Sequence, residues 1–129
     1  MKKKIKENKF IFPFEKLEVW QDAVDLADFI LNLMGSFPAN KYYRLIGQME
    51  AAVSSVAQNI AEGRGRQYKK EFIQFLYIAE GSLFEVLTLT EIFRRRRLIK
   101  EGEKAEIRAR AETTDRKLHG LINSLRSRL

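Results

Sequence analysis

Residues 51–66 read AAVSSVAQNIAEGRGR, and this stretch decides the fold. No charged residue lies between Glu50 and Glu62, although 32% of the chain is charged. At helical spacing one face is apolar, and it consists of Met49, Ala52, Val53, Val56 and Ile60. The opposite face is small or neutral, with Gly47, Ala51, Ser54, Ser55 and Gln58. Small residues let a second helix approach closely, so we expect this helix to pack on two sides.

The end of this helix is predicted by the segment Glu62-Gly63-Arg64-Gly65-Arg66. Glycine adopts the left-handed conformation at little cost, and many helices end at such a residue. We therefore predict a positive φ at Gly63 or Gly65, followed by a turn into the next helix. On this reasoning, two glycines in ordinary helical conformation would make the second and third helices continuous.

The composition indicates one globular domain. The chain has 129 residues, 45% of them hydrophobic, and nine are Phe, which is enough for a core. It has no cysteine, so disulfides, thiolate metal sites and thiol nucleophiles are excluded. No apolar run approaches the ~18 residues of a membrane span, and the N-terminal MKKKIKENKF lacks the apolar segment of a secretory signal. We expect a cytoplasmic protein that does not enter a membrane.

Positive charge is unevenly distributed along the chain. The net charge is +7, and residues 1–14 hold five Lys against one Glu. Residues 15–36 instead hold five acidic residues against one Lys. A basic balance favours polyanions such as RNA, DNA or anionic lipid, because binding releases counterions. The alternative is that the charge only keeps the protein soluble.

The first helix follows a predicted basic arm. We expect residues 1–13 to be a flexible arm, residues 14–129 to form the helical domain, and the first helix to begin near Glu15. Phe29 projects among acidic residues, either at a subunit contact or as an exposed aromatic. The predicted apolar stripe of this helix consists of Leu17, Trp20, Val24, Ala27, Leu31 and Met34, flanked by Val19, Ala23, Leu26, Ile30 and Leu33.

Three further helices are predicted, over about residues 41–62, 69–96 and 103–126. The third is apolar on most faces, with Phe72, Leu76, Ala79, Leu83 and Val86 on its main stripe and Ile73, Tyr77 and Phe84 on another side. A chain of this length can barely cover such a helix by itself, so part of its surface is expected to meet another subunit. The fourth helix carries Ile107, Ala111, Thr114, Leu118, Leu121 and Leu125 on one face. Four long helices with short connections predict an all-α, antiparallel up-down four-helix bundle that self-associates.

The sequence resembles a known bundle family in three segments. These are Leu17-Glu18-Val19-Trp20, Asn59-Ile60-Ala61-Glu62-Gly63 and the run from Glu71 through Ala79-Glu80-Gly81-Ser82 to Glu85. They are similar to the four-helix-bundle proteins encoded by intervening sequences inside bacterial large-subunit ribosomal RNA genes. The resemblance covers roughly residues 14–125 and implies a homopentameric bundle with no known reaction and nucleic acid as the conjectured partner. It marks Asn59, Glu62, Gly63, Gly81, Ser82 and Glu85 as structural motif residues.

Two features depart from the family pattern. Family members commonly carry a proline about two residues before Asn-Ile-Ala-Glu-Gly, whereas this chain has Val56-Ala57-Gln58, so its second helix is expected to be straighter. The four consecutive arginines at residues 94–97 stand where many members are less basic.

No catalytic or metal site is predicted. Di-iron bundles use Glu-x-x-His, but no Glu lies three residues before His119, the single histidine, which we expect at a surface or edge of the fourth helix. The segment Gly63-Arg64-Gly65 follows a helix and lacks a third glycine, which excludes a dinucleotide loop. We expect no cofactor.

Two carboxylates, Glu62 and Glu85, lie on weakly charged helix faces. Structural pairing, for example with Arg64 or Asn59, is favoured over catalysis, although a pocket joining Asn59, Glu62 and Glu85 would indicate an enzyme. Asn59 itself is expected to form an interhelical hydrogen bond, with a ligand contact as the alternative.

Lys2–Lys4, Lys6 and Lys9 of the arm are candidate nucleic-acid contacts. The contacts predicted in the helical domain are also basic clusters. They are Arg64, Arg66, Lys69, Lys70, Arg94, Arg95, Arg96 and Arg97. For the four-arginine run, a favourable interaction with the helix dipole explains the sequence as well as phosphate binding does. The sequence therefore favours a non-enzymatic, self-associating protein that binds RNA or DNA, with a protein–protein scaffold as the alternative.

Overall fold

The computed structural model describes residues 9–129, so residues 1–8 of the predicted basic arm lie outside the described part. A 3₁₀ turn at Pro13–Lys16 precedes four helices: α1 (Glu18–Met34), α2 (Tyr43–Arg64), α3 (Lys69–Arg95) and α4 (Glu101–Arg126). No strand occurs within residues 9–129. The prediction of an all-helical domain with four long helices is confirmed.

The four helices pack around one apolar core. Helices α1 and α3 both contact α2 and α4, so the helices close around a shared interior. The apolar face predicted for α2 is buried in full, from Met49 to Ile60. Helix α4 buries its predicted face as well, except that Leu121 is only half-buried and Ile122 takes part in the core.

Helix α1 begins later than predicted. Glu15 does not open the α-helix; its carboxylate accepts a hydrogen bond from the backbone N–H of Phe12 at 2.9 Å and closes the preceding 3₁₀ turn. Leu17 then has an extended backbone, with φ −77° and ψ 120°, which separates the turn from α1. The buried set is Val19, Ala23, Leu26, Ile30 and Met34.

The apolar stripe predicted for α1 differs from the buried one, because it includes two residues that are exposed. Val24 and Leu31, placed at its centre, are 37% and 41% exposed. The interpretation of Phe29 as an exposed aromatic was wrong, because the guanidinium of Arg110 in α4 covers its half-buried ring at 4.8 Å from the ring centre, and a subunit contact at Phe29 stays a prediction. Arg110 is held in turn by Glu106, whose carboxylate accepts from its Nε at 2.9 Å.

The predicted left-handed glycine at the end of α2 was wrong. No glycine among residues 9–129 has a positive φ. Gly63 is buried inside α2, and Gly65 ends the helix with φ −80° and ψ −6°. The inference of a continuous helix was also wrong, because Tyr68 has an extended backbone with φ −109° and ψ 140° that separates α2 from α3. Gly63 serves close packing instead: an added Cβ would lie 2.7 Å from the Cβ of Phe75.

Helix α3 is only partly covered by the rest of the chain. Nine of its residues are buried, including the whole predicted main stripe from Phe72 to Val86. Tyr77, Ile78, Phe84 and Ile92 are exposed. Among the described helices, α3 meets the length and composition criteria for a membrane span. A core helix meets them too, and its buried residues contact the other helices here.

Helix α3 ends at a non-glycine residue in the left-handed conformation. Arg97 has φ 61°. The N–H of Leu98 donates to the carbonyl of Phe93 at 2.9 Å, and the N–H of Arg97 donates to that of Arg94 at 3.0 Å. These two bonds are the Schellman motif, in which glycine normally takes the place of Arg97.

Candidate nucleic-acid interface

The predicted basic residues form two groups at opposite ends of α3. Arg64, Arg66, Lys69 and Lys70 lie at its start, and the four-arginine run lies at its end. At a rise of 1.5 Å per residue, the 27 residues of α3 separate the two groups by about 40 Å. The structure therefore does not bring the predicted residues into one patch within a single chain.

The first group lies beside a surface groove of about 360 Å³. Arg64, Arg66 and Lys69 line it together with Arg128, which follows α4, and we call these four residues the groove cluster. The Nζ of Lys69 donates to the carbonyl of Arg128 at 2.8 Å, which ties the two chain segments together. Lys70 is exposed on the first turn of α3 but does not line the groove.

Most positive charge in the groove cluster is available to a ligand. The guanidinium of Arg66 stacks on the ring of Phe75 at 4.7 Å and lies 4.0 Å from the carboxylate of Glu62. Both side chains of that ion pair are exposed, so the pair is weak in water. Arg64 has no ion-pair or hydrogen-bond partner among the described residues. The apolar floor of the groove includes Leu17, Phe72 and Leu121.

Two members of the four-arginine run form ion pairs with Glu91. The Nε of Arg95 donates to its carboxylate at 2.9 Å, and Arg94 lies 3.7 Å away. Lys104 of α4 donates to the same carboxylate at 2.7 Å, and Arg94 also lies 3.3 Å from Glu101. The hydrogen bonds from Lys104 and Arg95 lower the pKa of Glu91 from 4.5 to about 2. This network fastens the end of α3 to the start of α4.

The other two arginines are oriented differently. The Nε and Nη2 of Arg96 donate to the hydroxyl of Tyr42 at 3.3 and 3.2 Å, and its guanidinium lies 5.9 Å from the ring centre. Arg97 is exposed and has the left-handed backbone described above. Structural roles therefore account for Arg94, Arg95 and Arg96, and the charge of Arg97 is the one in this run with no partner among the described residues.

The motif residues do not converge on a ligand site. Asn59 and Ser82 take part in hydrogen bonds within α2 and between α2 and α3. Asn59 donates within its own helix, to the carbonyl and to the hydroxyl of Ser55, both at 2.8 Å. Ser55 makes the interhelical contact, with its hydroxyl 2.9 Å from that of Ser82 in α3. The predicted interhelical hydrogen bond from Asn59 was therefore wrong, because both of its bonds stay within α2. Glu62 and Glu85 are exposed, and Glu62 lies 4.0 Å from Arg66 rather than pairing with Arg64 or Asn59.

Gly81 is exposed on α3, and an added Cβ there would meet nothing within 4 Å. Within one chain, packing does not require a glycine at this position.

Sequence reasoning missed a group formed by Glu80, Asp115 and His119. The Nε2 of His119 contacts the Oε2 of Glu80 and lies 3.8 Å from the Oδ1 of Asp115. Burial, together with the adjacent Asp115 carboxylate, raises the pKa of Glu80, and His119 opposes that shift. The i, i+4 spacing of Asp115 and His119 was readable from the sequence, whereas the approach of Glu80 from α3 was not. His119 is nearly half-exposed, as expected for an edge residue.

Comparison with known proteins agrees with this architecture. Residues 15–120 match the family model described as 23S rRNA-intervening sequence protein. None of the curated proteins matches the chain. A similar solved structure is that of a protein of unknown function from the S23 ribosomal protein family of Bacteroides thetaiotaomicron. It has a TM-score of 0.72 and 21% identity, covering 81% of this chain and 97% of that chain. At this identity the likeness shows the fold alone, but the family model spans most of the chain, which therefore belongs to the 23S rRNA-intervening sequence protein family.

Proposed function

We propose that this protein is a non-enzymatic, cytoplasmic nucleic-acid-binding protein built as a cyclic homo-oligomer of antiparallel up-down bundles. The observation that carries the proposal is the groove cluster, where Arg64, Arg66, Lys69 and Arg128 line one groove and, within residues 9–129, only the exposed Glu62 lies at ion-pair distance from them. Cationic side chains around an open groove favour a phosphate backbone, because each contact releases counterions. Such contacts hold a polyanion without reading its bases.

Self-association is supported by an uncovered face shared by α2 and α3. The contact between Ser55 and Ser82 places the exposed small residues of α2 beside an exposed strip of α3. On α3 this strip includes Ile78, which is 52% exposed, and Gly81. We call it the α2–α3 face; its exposed members are Gly47, Ala51, Gln58, Ile78, Gly81, Glu85 and Thr88. A face with few charges and small residues allows close helix packing between subunits.

A cyclic assembly would repeat the groove cluster around the ring. In the pentamer that the family resemblance implies, the cluster would occur five times in one layer. In the sequence, the five lysines within residues 1–9 precede Leu17, and Leu17 lines the groove. Repetition converts weak single contacts into stronger overall binding.

The alternative is a protein–protein scaffold with no nucleic-acid role. The exposed aromatic side chains of Tyr77 and Phe84 on α3 favour it, since aromatic residues are enriched at protein interfaces. The two proposals differ in salt dependence: phosphate binding weakens steeply with added salt, whereas an apolar contact does not.

Fluorescence anisotropy with labelled single- and double-stranded RNA and DNA tests the proposal. We expect binding at low salt with little sequence preference and a linear fall of log affinity with log salt concentration. The slope is expected to be about 0.7–0.9 per neutralised phosphate. Absence of binding at low salt, together with no RNA copurifying with the native protein, would favour the scaffold.

A further inference from the structure

The group formed by Glu80, Asp115 and His119 joins α3 to α4 near the middle of α3, away from both basic groups. Each residue offers one ligand atom, and the three atoms lie within 4.8 Å of one another. Two are carboxylate oxygens and one is an imidazole nitrogen. Asp115 and His119 are one helical turn apart on the same face of α4, while Glu80 reaches them from α3.

Among the described residues, the half-exposed His119 is the one charged partner that the two carboxylates share. The side chain of Glu80 is only 12% exposed. Its Oε2 and the Oδ1 of Asp115 are both shielded from solvent, and neither accepts a hydrogen bond from any described group. The contact of Glu80 with His119 is an ion-pair contact without hydrogen-bond geometry. Two adjacent carboxylates that share one half-exposed imidazole repel each other, and a cation bound between them would relieve that repulsion.

We propose that Glu80, Asp115 and His119 bind a divalent first-row transition metal ion, which clamps α3 to α4. One imidazole and two carboxylates suit Zn²⁺ and its neighbours better than Mg²⁺, which takes oxygen ligands almost alone. Three protein ligands leave a fourth tetrahedral position for water.

To receive the ion, the His119 ring must move away from Glu80, which it contacts more closely than two ligands of one ion do. Zn²⁺ bonds of about 2.0–2.2 Å place tetrahedral ligand atoms roughly 3.4 Å apart. The separation of 3.8 Å between His119 and Asp115 is close to this value. His119 is 48% exposed, so its ring can move without disturbing the core. An ion can enter from solvent, because Asp115 also lines an open groove of about 550 Å³ between α3 and α4.

Isothermal titration of tag-free, chelator-treated full-length protein with ZnCl₂ tests the site. We expect one Zn²⁺ per chain and a weaker response to MgCl₂. His119→Ala and Asp115→Asn should each weaken Zn²⁺ binding by at least about tenfold. Glu106→Gln is the matched control, because Glu106 is an exposed carboxylate on the same helix that pairs with Arg110, and it should leave Zn²⁺ affinity unchanged.

The single histidine gives a second readout. The imidazole carbon–proton signals of His119 should shift with Zn²⁺ and not with Mg²⁺ in NMR spectra. Saturable binding that persists in both His119→Ala and Asp115→Asn would place the ion elsewhere and overturn the proposal. Wild-type protein that takes up no Zn²⁺, with an imidazole signal responsive only to pH, would also overturn it, since His119 would then be an ion-pair partner alone.

Discussion

Gly63 of α2 lies so close to Phe75 of α3 that an added Cβ would stand 2.7 Å from the Cβ of Phe75 and 3.0 Å from the Cδ1 of Phe72. Real Cβ atoms do not approach that closely, and the first obstacle is an atom fixed to the α3 backbone. The glycine therefore allows α2 and α3 to lie this close together at the last turn of α2. Its role is steric, since its backbone conformation is an ordinary helical one.

Replacing this glycine should loosen the packing of α2 against α3. We expect Gly63→Ala to lower the free energy of unfolding by roughly 1–3 kcal/mol through overpacking. Gly120→Ala in α4 is the matched control, because a Cβ there meets nothing within 4 Å and alanine favours helix by up to about 1 kcal/mol. Urea unfolding at equal protein concentration measures both changes. Equal effects of the two substitutions would contradict the steric role of Gly63.

The left-handed residue that ends α3 offers a stabilising substitution. Arg97 occupies a position that glycine adopts without strain, so Arg97→Gly should raise the free energy of unfolding by about 1 kcal/mol. Arg97→Ala removes the same charge but keeps the Cβ, and should give no such gain. Thermal unfolding separates the two variants. If alanine stabilised as much as glycine, charge rather than backbone strain would be responsible.

The carboxylate of Glu91 makes the free energy of unfolding depend on pH. Its folded pKa of about 2 lies below its ordinary value of 4.5, because Lys104 and Arg95 hold the charged form. The ionised group therefore stabilises the fold above about pH 4.5, and this contribution is lost as the pH falls toward 2.

The Glu91→Gln variant has no carboxylate at this position, so it should not show the acid-induced loss of stability that Glu91 causes. Unfolding free energies at pH 7 and pH 3 should differ less in Glu91→Gln than in the wild type. Glu112→Gln, which removes an exposed carboxylate 4.0 Å from Arg116, should behave like the wild type. An unchanged pH dependence in Glu91→Gln would show that the network around Glu91 contributes nothing.

Because the α2–α3 face is uncovered within one chain, we expect the protein to self-associate. Light scattering after gel filtration should give a mass several times 15.1 kDa, fivefold for the pentamer. Ile78→Glu places a charge at the exposed centre of this face and should lower the mass toward that of one chain, with helix content retained. Val24→Glu changes an exposed apolar residue of α1 and is the control. A wild-type monomer across micromolar concentrations would refute self-association.

Periodicity predicted the helices and most of the core, because burial of one face follows directly from spacing in the sequence. It placed the α2 stripe correctly from Met49 to Ile60. In α1 it failed to choose between two overlapping stripes, since both are apolar and only the neighbouring helices decide which one is buried. Val24 and Leu31 were misplaced for that reason.

The candidate site depended on contacts between helices, which the sequence does not encode locally. The basic character of residues 94–97 and the spacing of Arg94 and Arg95 from Glu91 were readable in the sequence, whereas the approach of Glu101 and Lys104 from α4 was not. Arg128 joins the groove cluster through its position after α4. The positive φ of Arg97 was unexpected because left-handed helix ends usually carry glycine.

The role proposed for the groove cluster is tested most directly by two double variants of equal charge. Arg64→Gln/Arg66→Gln removes two charges from the groove, and Arg108→Gln/Arg116→Gln removes two exposed charges from α4 outside it. Anisotropy with a labelled single-stranded RNA, measured from low to physiological salt, should show a shallower salt slope in the first variant, by about 0.7–0.9 for each phosphate that it no longer neutralises. The slope of the second should equal that of the wild type. Equal slopes in both variants, or no RNA binding by the wild type at low salt, would contradict a nucleic-acid interface at the groove cluster.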